Sequence, residues 1–149
     1  MKDLFETSAV EEVKGRVAQL RPDSERLWGT MNAAQVMAHC SVLLEVAVGL
    51  RRLPRSLVGR VVGRFVKPTL LNEEPLRRNM PTDKNFVVGG ERDFVVEQQR
   101  LRELINRFAT GGPDGCGKNP HSFFGPMTPT EWARMMYKHL DHHLRQFGV

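Results

Sequence analysis

The chain of 149 residues contains few cysteines, few aromatic residues and no long apolar run. Its two cysteines, Cys40 and Cys116, have no CxxC partner, so neither a thiolate zinc site nor a disulfide framework is indicated. No apolar stretch approaches the roughly 20 residues that a membrane-spanning helix requires. The first residues are acidic where a secretion signal would be apolar. We therefore expect a cytoplasmic protein with no membrane partner.

The formal net charge is +5, and the basic residues are concentrated in one segment. Residues 51–67 contain six basic side chains and no acidic one. Such a block can attract phosphates or an anionic membrane surface, although a solvated surface is the more common outcome. We interpret it as a solvated face and expect no nucleic-acid partner. The sequence has no Walker loop, GxGxxG motif or GxSxG elbow, so no nucleotide or flavin cofactor is predicted.

Apolar spacing and capping residues predict four main helices in a single domain that spans residues 1–149. The first is predicted to start at Ser8 and to end before Pro22. The second is predicted to start near Asn32 and to run to about Leu50. Both starts have the sequence of a capping box, in which two side chains satisfy free backbone amides at the start of the helix.

The third and fourth helices follow a long connection. The third is predicted to begin between Glu91 and Asp93 and to stop before Gly111. The fourth has Thr128 as its N-cap and Pro129 at the first helical position, where the missing amide hydrogen does no harm. Together the four segments predict an all-α fold, a four-helix bundle with one long crossover.

The crossover, residues 51–90, contains the pattern of a shorter amphipathic helix. Its apolar side chains are Leu57, Val58, Val61, Val62 and Phe65. A face of this kind can lie on a membrane surface. We expect it to pack against the bundle instead, because Gly59 and Gly63 weaken the helix as an independent anchor.

The fourth helix has two histidines on its apolar face. Trp132, Met136, His139, His143 and Phe147 recur at intervals of four, three, four and four. Histidines at i and i+4 lie about 6 Å apart along the helix axis, so two imidazoles can bind one ion. Buried ring nitrogens without partners would each cost about 1–3 kcal/mol, and a metal ion removes that cost.

A metal site requires a third ligand, and two further histidines are candidates. His39 lies in the middle of the second helix, whereas His121 lies in a glycine-rich loop, so helix placement favours His39. His142 points about 100° away from His143, and we assign it to the surface or to the surroundings of the site. Three protein ligands with open positions are typical of a catalytic metal site rather than a structural one.

Two long strings make the chain similar to a known superfamily over essentially its whole length. They are MNAAQVMAHC and FFGPMTPTEWARMMYKHLDHHLRQFG, and residues 22–24 (PDS) and 28–29 (WG) also fit. One histidine midway along the second helix, followed by HxxxH on the last, resembles the DinB-like (YfiT-like) metalloenzyme superfamily, in a subfamily of uncharacterised function. The resemblance implies a DinB-like four-helix bundle.

The resemblance also implies a metal and an activity. It implies one nickel, zinc or manganese ion held by His39, His139 and His143. Relatives in the superfamily are metal-dependent hydrolases or transferases of low-molecular-weight thiols, and they are often homodimers. The chain itself does not name its small-molecule substrate.

Several polar residues are candidates for roles beyond metal binding. Glu97 interrupts the apolar stripe of the third helix and is a candidate base, although an ion pair is the more common role for such a residue. Gln35, one turn before His39, is a candidate to orient that ring. Four arginines are candidates to bind an anionic substrate, with solvent exposure the better interpretation: Arg51, Arg52, Arg77 and Arg78.

Two functions from different classes fit these observations. The first is a metal-dependent enzyme, a hydrolase or a thiol transferase, acting on a small molecule. The second is a non-catalytic bundle, alone or as a homodimer, whose histidines are structural or whose metal only stabilises the fold.

Overall fold

The computed structural model describes residues 2–80 and 83–149 of the chain. Within these ranges it has no β-strand and five α-helices: α1 (Thr7–Gln19), α2 (Ala33–Ala47), α3 (Leu57–Leu70), α4 (Phe94–Gly111) and α5 (Pro129–Arg145). Short 3-10 helices at Lys84–Phe86 and Pro113–Gly115 precede and follow α4. None of the helices in the described ranges is long and apolar enough to cross a bilayer. The prediction of an all-α fold is confirmed.

Four of the helices, α1, α2, α4 and α5, form the bundle. Both α1 and α2 pack against α4 and α5. Helix α2 is central, because its residues are apolar or small on nearly every side and almost all of them are buried. The side chains of Met37, Leu44, Ile105, Trp132 and Met136 are among those fully buried between the helices.

Three of the predicted helix starts agree with the structure. Asn32 and Thr128 are N-caps with complete capping boxes, and Asp93 caps α4 by accepting a hydrogen bond from the amide of Val96. These side-chain oxygens satisfy amides that have no partner within the helix.

The first helix and the end of the second differ from the predictions. Helix α1 begins one residue before Ser8, with Glu6 as an N-cap whose side chain makes no capping bond, so the predicted capping box is wrong. Helix α2 ends at Ala47 rather than at about Leu50. Gly49 adopts a φ of +80°, a left-handed conformation that commonly ends helices.

The fifth helix, α3, forms in the crossover as predicted, but its apolar face points away from the bundle. The exposed fractions are 78% for Leu57, 62% for Val58, 69% for Val61, 37% for Val62 and 65% for Phe65. The prediction that this face packs against the bundle is therefore wrong.

The opposite, glycine-containing side of α3 makes the tertiary contact. An added Cβ at Gly59 would lie 2.7 Å from the Cα atom of Phe123, and at Gly63 it would overlap the carbonyl oxygen of the same residue. The helix backbone therefore lies directly on the loop before α5, at a distance that only glycine permits. Gly59 and Gly63 therefore allow α3 to pack closely against the backbone of Phe123.

Polar contacts at both ends of α3 determine its rotation about its own axis. At the start, the amide of Ser56 donates to the carbonyl of Ser122 at 2.9 Å. Near the end, the ammonium group of Lys67 pairs with the carboxylate of Glu131 at 2.9 Å. With the glycine side held between these contacts, the apolar face has to point outward.

Alanine substitutions at two glycines test this packing. Gly63→Ala adds a methyl group that overlaps the Phe123 backbone, so we expect the free energy of unfolding to fall by about 1–3 kcal/mol. Gly15, exposed in the middle of α1, is the matched control, because an added Cβ there meets no atom within 4 Å. Gly15→Ala should raise the free energy of unfolding by about 0.5–1 kcal/mol. Urea denaturation measures both values, and a stabilised Gly63→Ala variant would contradict the packing.

Candidate metal centre

Helices α2 and α5 bring three histidines together. The ring centroids are 4.9 Å apart for His39 and His139, 4.8 Å for His39 and His143, and 4.7 Å for His139 and His143. One nitrogen from each ring lies within 4.8 Å of the others, and the Nε2 atoms of His39 and His139 are 3.0 Å apart. The three rings thus form a nearly equilateral triangle around one point.

The ring of His39 is oriented by a backbone carbonyl. Its Nδ1 atom lies 2.7 Å from the carbonyl oxygen of Phe86, in the 3-10 turn of the crossover. A carbonyl can only accept, so Nδ1 carries the hydrogen and donates it. In the neutral ring, Nε2 therefore presents its lone pair toward His139. Ligating histidines are typically held in this way, because the bond sets both tautomer and ring orientation.

The ring of His143 is oriented by a side chain. Its Nδ1 atom lies 3.0 Å from Oε1 of Gln146, and the Nε2 group of Gln146 donates to the carbonyl of Trp28 at 2.7 Å. The bond to Trp28 determines which end of the amide faces the ring, so Nδ1 donates to Oε1. An added Cβ at Gly29 would lie 2.5 Å from this amide nitrogen, so glycine makes room for the chain of bonds.

Burial keeps the three imidazoles neutral at pH 7. His39 and His143 are buried, and His139 is partly exposed. Burial lowers the pKa of His39 below its usual 6.5 and that of His143 to about 3. The pKa of His139 is lowered well below 6.5, first by burial and then by its neighbours His143 and His39. Neutral imidazole is the form that binds a metal ion.

The geometry suits a divalent transition-metal ion. Two imidazole nitrogens bound to one ion at about 2.0–2.1 Å are separated by about 3–3.4 Å, and His39 and His139 already meet this range. The ligand atom of His143 lies within 4.8 Å of those of the other two histidines, so the three rings are close enough to bind one ion. His139 is partly exposed, whereas His39 and His143 are buried.

Glu97 is buried beside other charges. Its Oε2 atom accepts a hydrogen bond from Arg100 at 3.1 Å, and Arg100 also pairs with Glu45 of α2 at 2.6 Å. Glu97 therefore forms an ion pair with Arg100, the role named in the sequence analysis as the more common one for such a residue. In the described part of the chain, the histidine cluster does not include Glu97, and its role as a base stays a prediction.

Gln35 does not orient His39, and that prediction is wrong. Its Oε1 atom accepts from the amide of Asn32 at 3.0 Å, and its Nε2 group donates to the carbonyl of Gly90 at 3.0 Å. Both ends of the amide are therefore used in capping α2 and in holding the crossover. The carbonyl of Phe86 takes the orienting role instead.

His121 is buried in an aromatic pocket apart from the cluster. Its ring centroid lies 4.5 Å from that of Phe124 and 5.7 Å from that of Trp132. Its Nδ1 atom accepts from the amide of Phe123 at 3.0 Å, so the lone pair of that atom is used within the loop. Burial lowers the pKa of His121 to about 4.

His142 lies next to the cluster, in its surroundings. It is partly exposed, and its ring centroid is 5.9 Å from that of Trp28 and 5.1 Å from that of His143. The structure places it outside the triangle of rings, on the side of α5 expected from its position in the sequence.

The two groups that orient the histidine rings, Gln146 and the carbonyl of Phe86, were not predicted from the sequence. Gln146 lies three residues after His143, a spacing that brings side chains together on a helix surface, so the sequence contained that signal. The carbonyl of Phe86 lies 47 residues from His39 in the chain. No sequence pattern predicts which backbone carbonyl of a crossover will reach a ring.

Comparison with known proteins identifies a family and no activity. Residues 2–148 match a family described as "Protein of unknown function (DUF1569)". Because the match spans nearly the whole chain, the protein belongs to this family. No curated protein and no solved structure matches the chain. Functional inference therefore depends on the histidine cluster itself.

The lowered pKa values predict that metal-free protein is less stable in mild acid. In the unfolded chain histidines bind protons below a pKa of about 6.5, whereas folded His121 and His143 stay neutral until about pH 4 and pH 3. The unfolded state therefore binds more protons in this window. Between pH 7 and pH 5 we expect the free energy of unfolding to fall by about 1–2 kcal/mol per buried histidine.

Urea denaturation at pH 7 and pH 5, in the presence of a chelator that keeps the protein metal-free, measures this decrease in the free energy of unfolding. The control is His143→Gln, whose side chain does not titrate, so the difference between the two pH values should be smaller than in the unsubstituted protein. Unchanged or higher stability at pH 5 would contradict the prediction.

Proposed function

We propose that this member of the DUF1569 family holds one divalent transition-metal ion on His39, His139 and His143. We further propose that it is a metal-dependent enzyme, of the hydrolase or thiol-transferase type, acting on a small molecule. The observation that carries the proposal is the convergence of three neutral imidazoles, two of which have their Nδ1 atoms occupied by protein acceptors. The same arrangement supports membership of the DinB-like superfamily.

Each histidine has a separate part in the proposed site. His39, locked by the Phe86 carbonyl, provides a ligand from the central helix α2. His143, locked by Gln146, provides a second ligand on the buried side of α5. His139 is the partly exposed member, and we propose that a small molecule approaches the ion from its side. A divalent ion bound there supplies Lewis acidity, and imidazole ligands suit zinc and nickel among other metals.

A cleft lined by His142, whose ring centroid is 5.1 Å from that of His143, is the proposed place for the small molecule, although the three clustered histidines are not among its lining residues. It has a volume of about 350 Å³, and its lining includes Trp28, His142, Arg78 and Arg145. This volume falls within the usual range of ligand pockets, about 300–1,000 Å³. The guanidinium of Arg78 lies 4.2 Å from the ring centroid of Trp28, so a flat cation faces the cleft. Arg145 pairs at 3.0 Å with Asp141, which lines the same cleft, so Arg78 is the cation that favours a substrate with an anionic portion.

The alternative, a bundle that a metal only stabilises, requires a site closed to small molecules. The partial exposure of His139 favours the enzyme over this alternative. Open positions on the ion are the feature that separates catalytic from structural sites.

Alanine substitutions on α5 and α2 test the ligand assignment. Protein purified without a histidine tag should contain about one equivalent of a transition metal by elemental analysis. His39→Ala, His139→Ala and His143→Ala should each abolish stoichiometric binding. His142→Ala is the matched control and should leave the metal content nearly unchanged, because its ring lies outside the triangle. Equal behaviour of all four variants would show that the assigned faces of α5 are wrong.

Turnover by the metal-loaded protein then separates the two functions. Esters, amides and pairs of a thiol with an electrophilic acceptor are tested with zinc, nickel and manganese in turn. The enzyme proposal expects a turnover that depends on the metal and is lost in His139→Ala. One bound equivalent of metal without any turnover would favour the alternative in which the metal only stabilises the bundle.

A second pair of variants separates Gln146 from Gln35 as the orienting residue. Gln146→Leu removes the acceptor for His143 Nδ1, and loss of such a contact usually weakens metal binding about 10–100-fold. Gln35→Leu removes part of the α2 cap and should lower stability by about 1 kcal/mol while leaving metal affinity nearly unchanged. Competition with a chromophoric chelator measures both affinities. A weaker metal affinity in Gln35→Leu alone would reverse the assignment.

A further inference from the structure

The outward side of α3 is a continuous apolar surface. We define the α3 apolar face as the side chains of Leu57, Val58, Val61, Val62 and Phe65, which are 37–78% exposed. Large aliphatic and aromatic groups at this spacing form one stripe along the helix. Single exposed apolar residues need no explanation, but contiguous ones mark an interaction site.

The structure holds this face outward firmly. The backbone of α3 packs on Phe123 through Gly59 and Gly63, where no larger side chain fits. The contacts of Ser56 and Lys67 described above hold both ends of the helix against the same loop and the start of α5. Turning the apolar stripe inward would replace glycines with valines against the loop backbone. The face therefore stays accessible in the folded protein.

Unpaired cations border the apolar face on one side. Residues 46–72 contain no aspartate or glutamate. Arg60 and Arg64 are exposed, and among the described residues neither lies within 4.0 Å of a carboxylate. The guanidinium of Arg64 lies 4.5 Å from the ring centroid of Phe65, which places positive charge directly beside the apolar stripe.

We propose that α3 docks this protein onto anionic membrane surfaces. A helix with an apolar stripe and flanking arginines lies in the interface plane, with its stripe in the acyl boundary and its cations at the head groups. Each arginine near an anionic surface contributes about 1 kcal/mol. Helix α3 lies on the surface and does not cross the bilayer, in agreement with the absence of a spanning helix in the described ranges.

A second copy of the chain fits this face less well, for two reasons. A stable interface buries roughly 800 Å² per partner and involves about 20–30 residues a side, far more than five side chains of one helix provide. Two α3 helices packed antiparallel around a two-fold axis would place the same edges side by side. Arg60 and Arg64 of both copies would then lie along one edge, without acidic residues from α3 to offset their repulsion.

Vesicle binding by the full-length protein tests the proposal. Flotation compares vesicles of phosphatidylcholine alone with vesicles containing 30% phosphatidylglycerol (about one anionic lipid in three, to give a negative surface potential). We expect binding to the anionic vesicles that weakens as NaCl rises from about 0.1 to 1 M, since the screening length then falls from about 10 to 3 Å. The double variant Arg60→Gln/Arg64→Gln should bind about 25-fold more weakly, about fivefold for each arginine.

A matched pair of exposed valines distinguishes a loss of vesicle binding that is specific to the α3 apolar face from the effect of adding a negative charge anywhere on the surface. Val61 and Val95 are 69% and 71% exposed, on α3 and α4 respectively. Val61→Asp should weaken vesicle binding at least about tenfold, whereas Val95→Asp, with the same change in charge, should not. Circular dichroism establishes that both variants are folded.

Three results would overturn the proposal. The first is no binding to anionic vesicles by the unsubstituted protein. The second is an equal loss in Val61→Asp and Val95→Asp. The third is a dimer in analytical ultracentrifugation that Val61→Asp dissociates, which would make the α3 apolar face a subunit interface instead.

Discussion

Three imidazoles must stay neutral because they share a mostly buried site, and the hydrogen bonds around them depend on that neutrality. A charged ring there would lose its hydration without gaining a carboxylate partner, so burial favours the neutral form. Neutral rings still need partners for their Nδ1 hydrogens, which Phe86 and Gln146 accept for His39 and His143. Once those hydrogens are donated outward, the Nε2 lone pairs of His39 and His143 remain available to bind a ligand. A cluster of this kind is able to hold a metal ion.

The support for His143 extends well beyond the histidines. Gln146 is held by the carbonyl of Trp28, a residue 118 positions away in the chain, and Gly29 leaves space for the amide. The segment between α1 and α2 therefore helps to orient a ring on α5. This explains why Trp28 and Gly29, which belong to no helix, bear on the chemistry of the site. The same tryptophan lines the neighbouring cleft, so Trp28 contributes both to the orientation of His143 and to the cleft wall.

Helix α3 shows how packing can reverse an expectation drawn from an amphipathic pattern. Its apolar stripe and its glycines lie on opposite sides, and either side could have faced the protein. The glycine side was selected because it allows backbone contact with Phe123 and Phe124, with polar contacts at each end of the helix. Glycines that weaken a helix in isolation here determine which of its faces remains in solvent.

The sequence by itself determined the elements whose causes are local. Caps at Asn32, Asp93 and Thr128 and the i, i+4 pair on α5 act within a few residues, so the helix starts and the pairing of His139 with His143 could be predicted. Tertiary structure alone decided which acceptor orients His39, because the crossover brings the carbonyl of Phe86 to that ring while Gln35 bonds to Asn32 and Gly90 instead. It also decided that Glu97 meets Arg100 and Glu45, and that α3 turns its apolar face outward. Contacts between distant segments depend on the packing of whole helices, which local spacing does not encode.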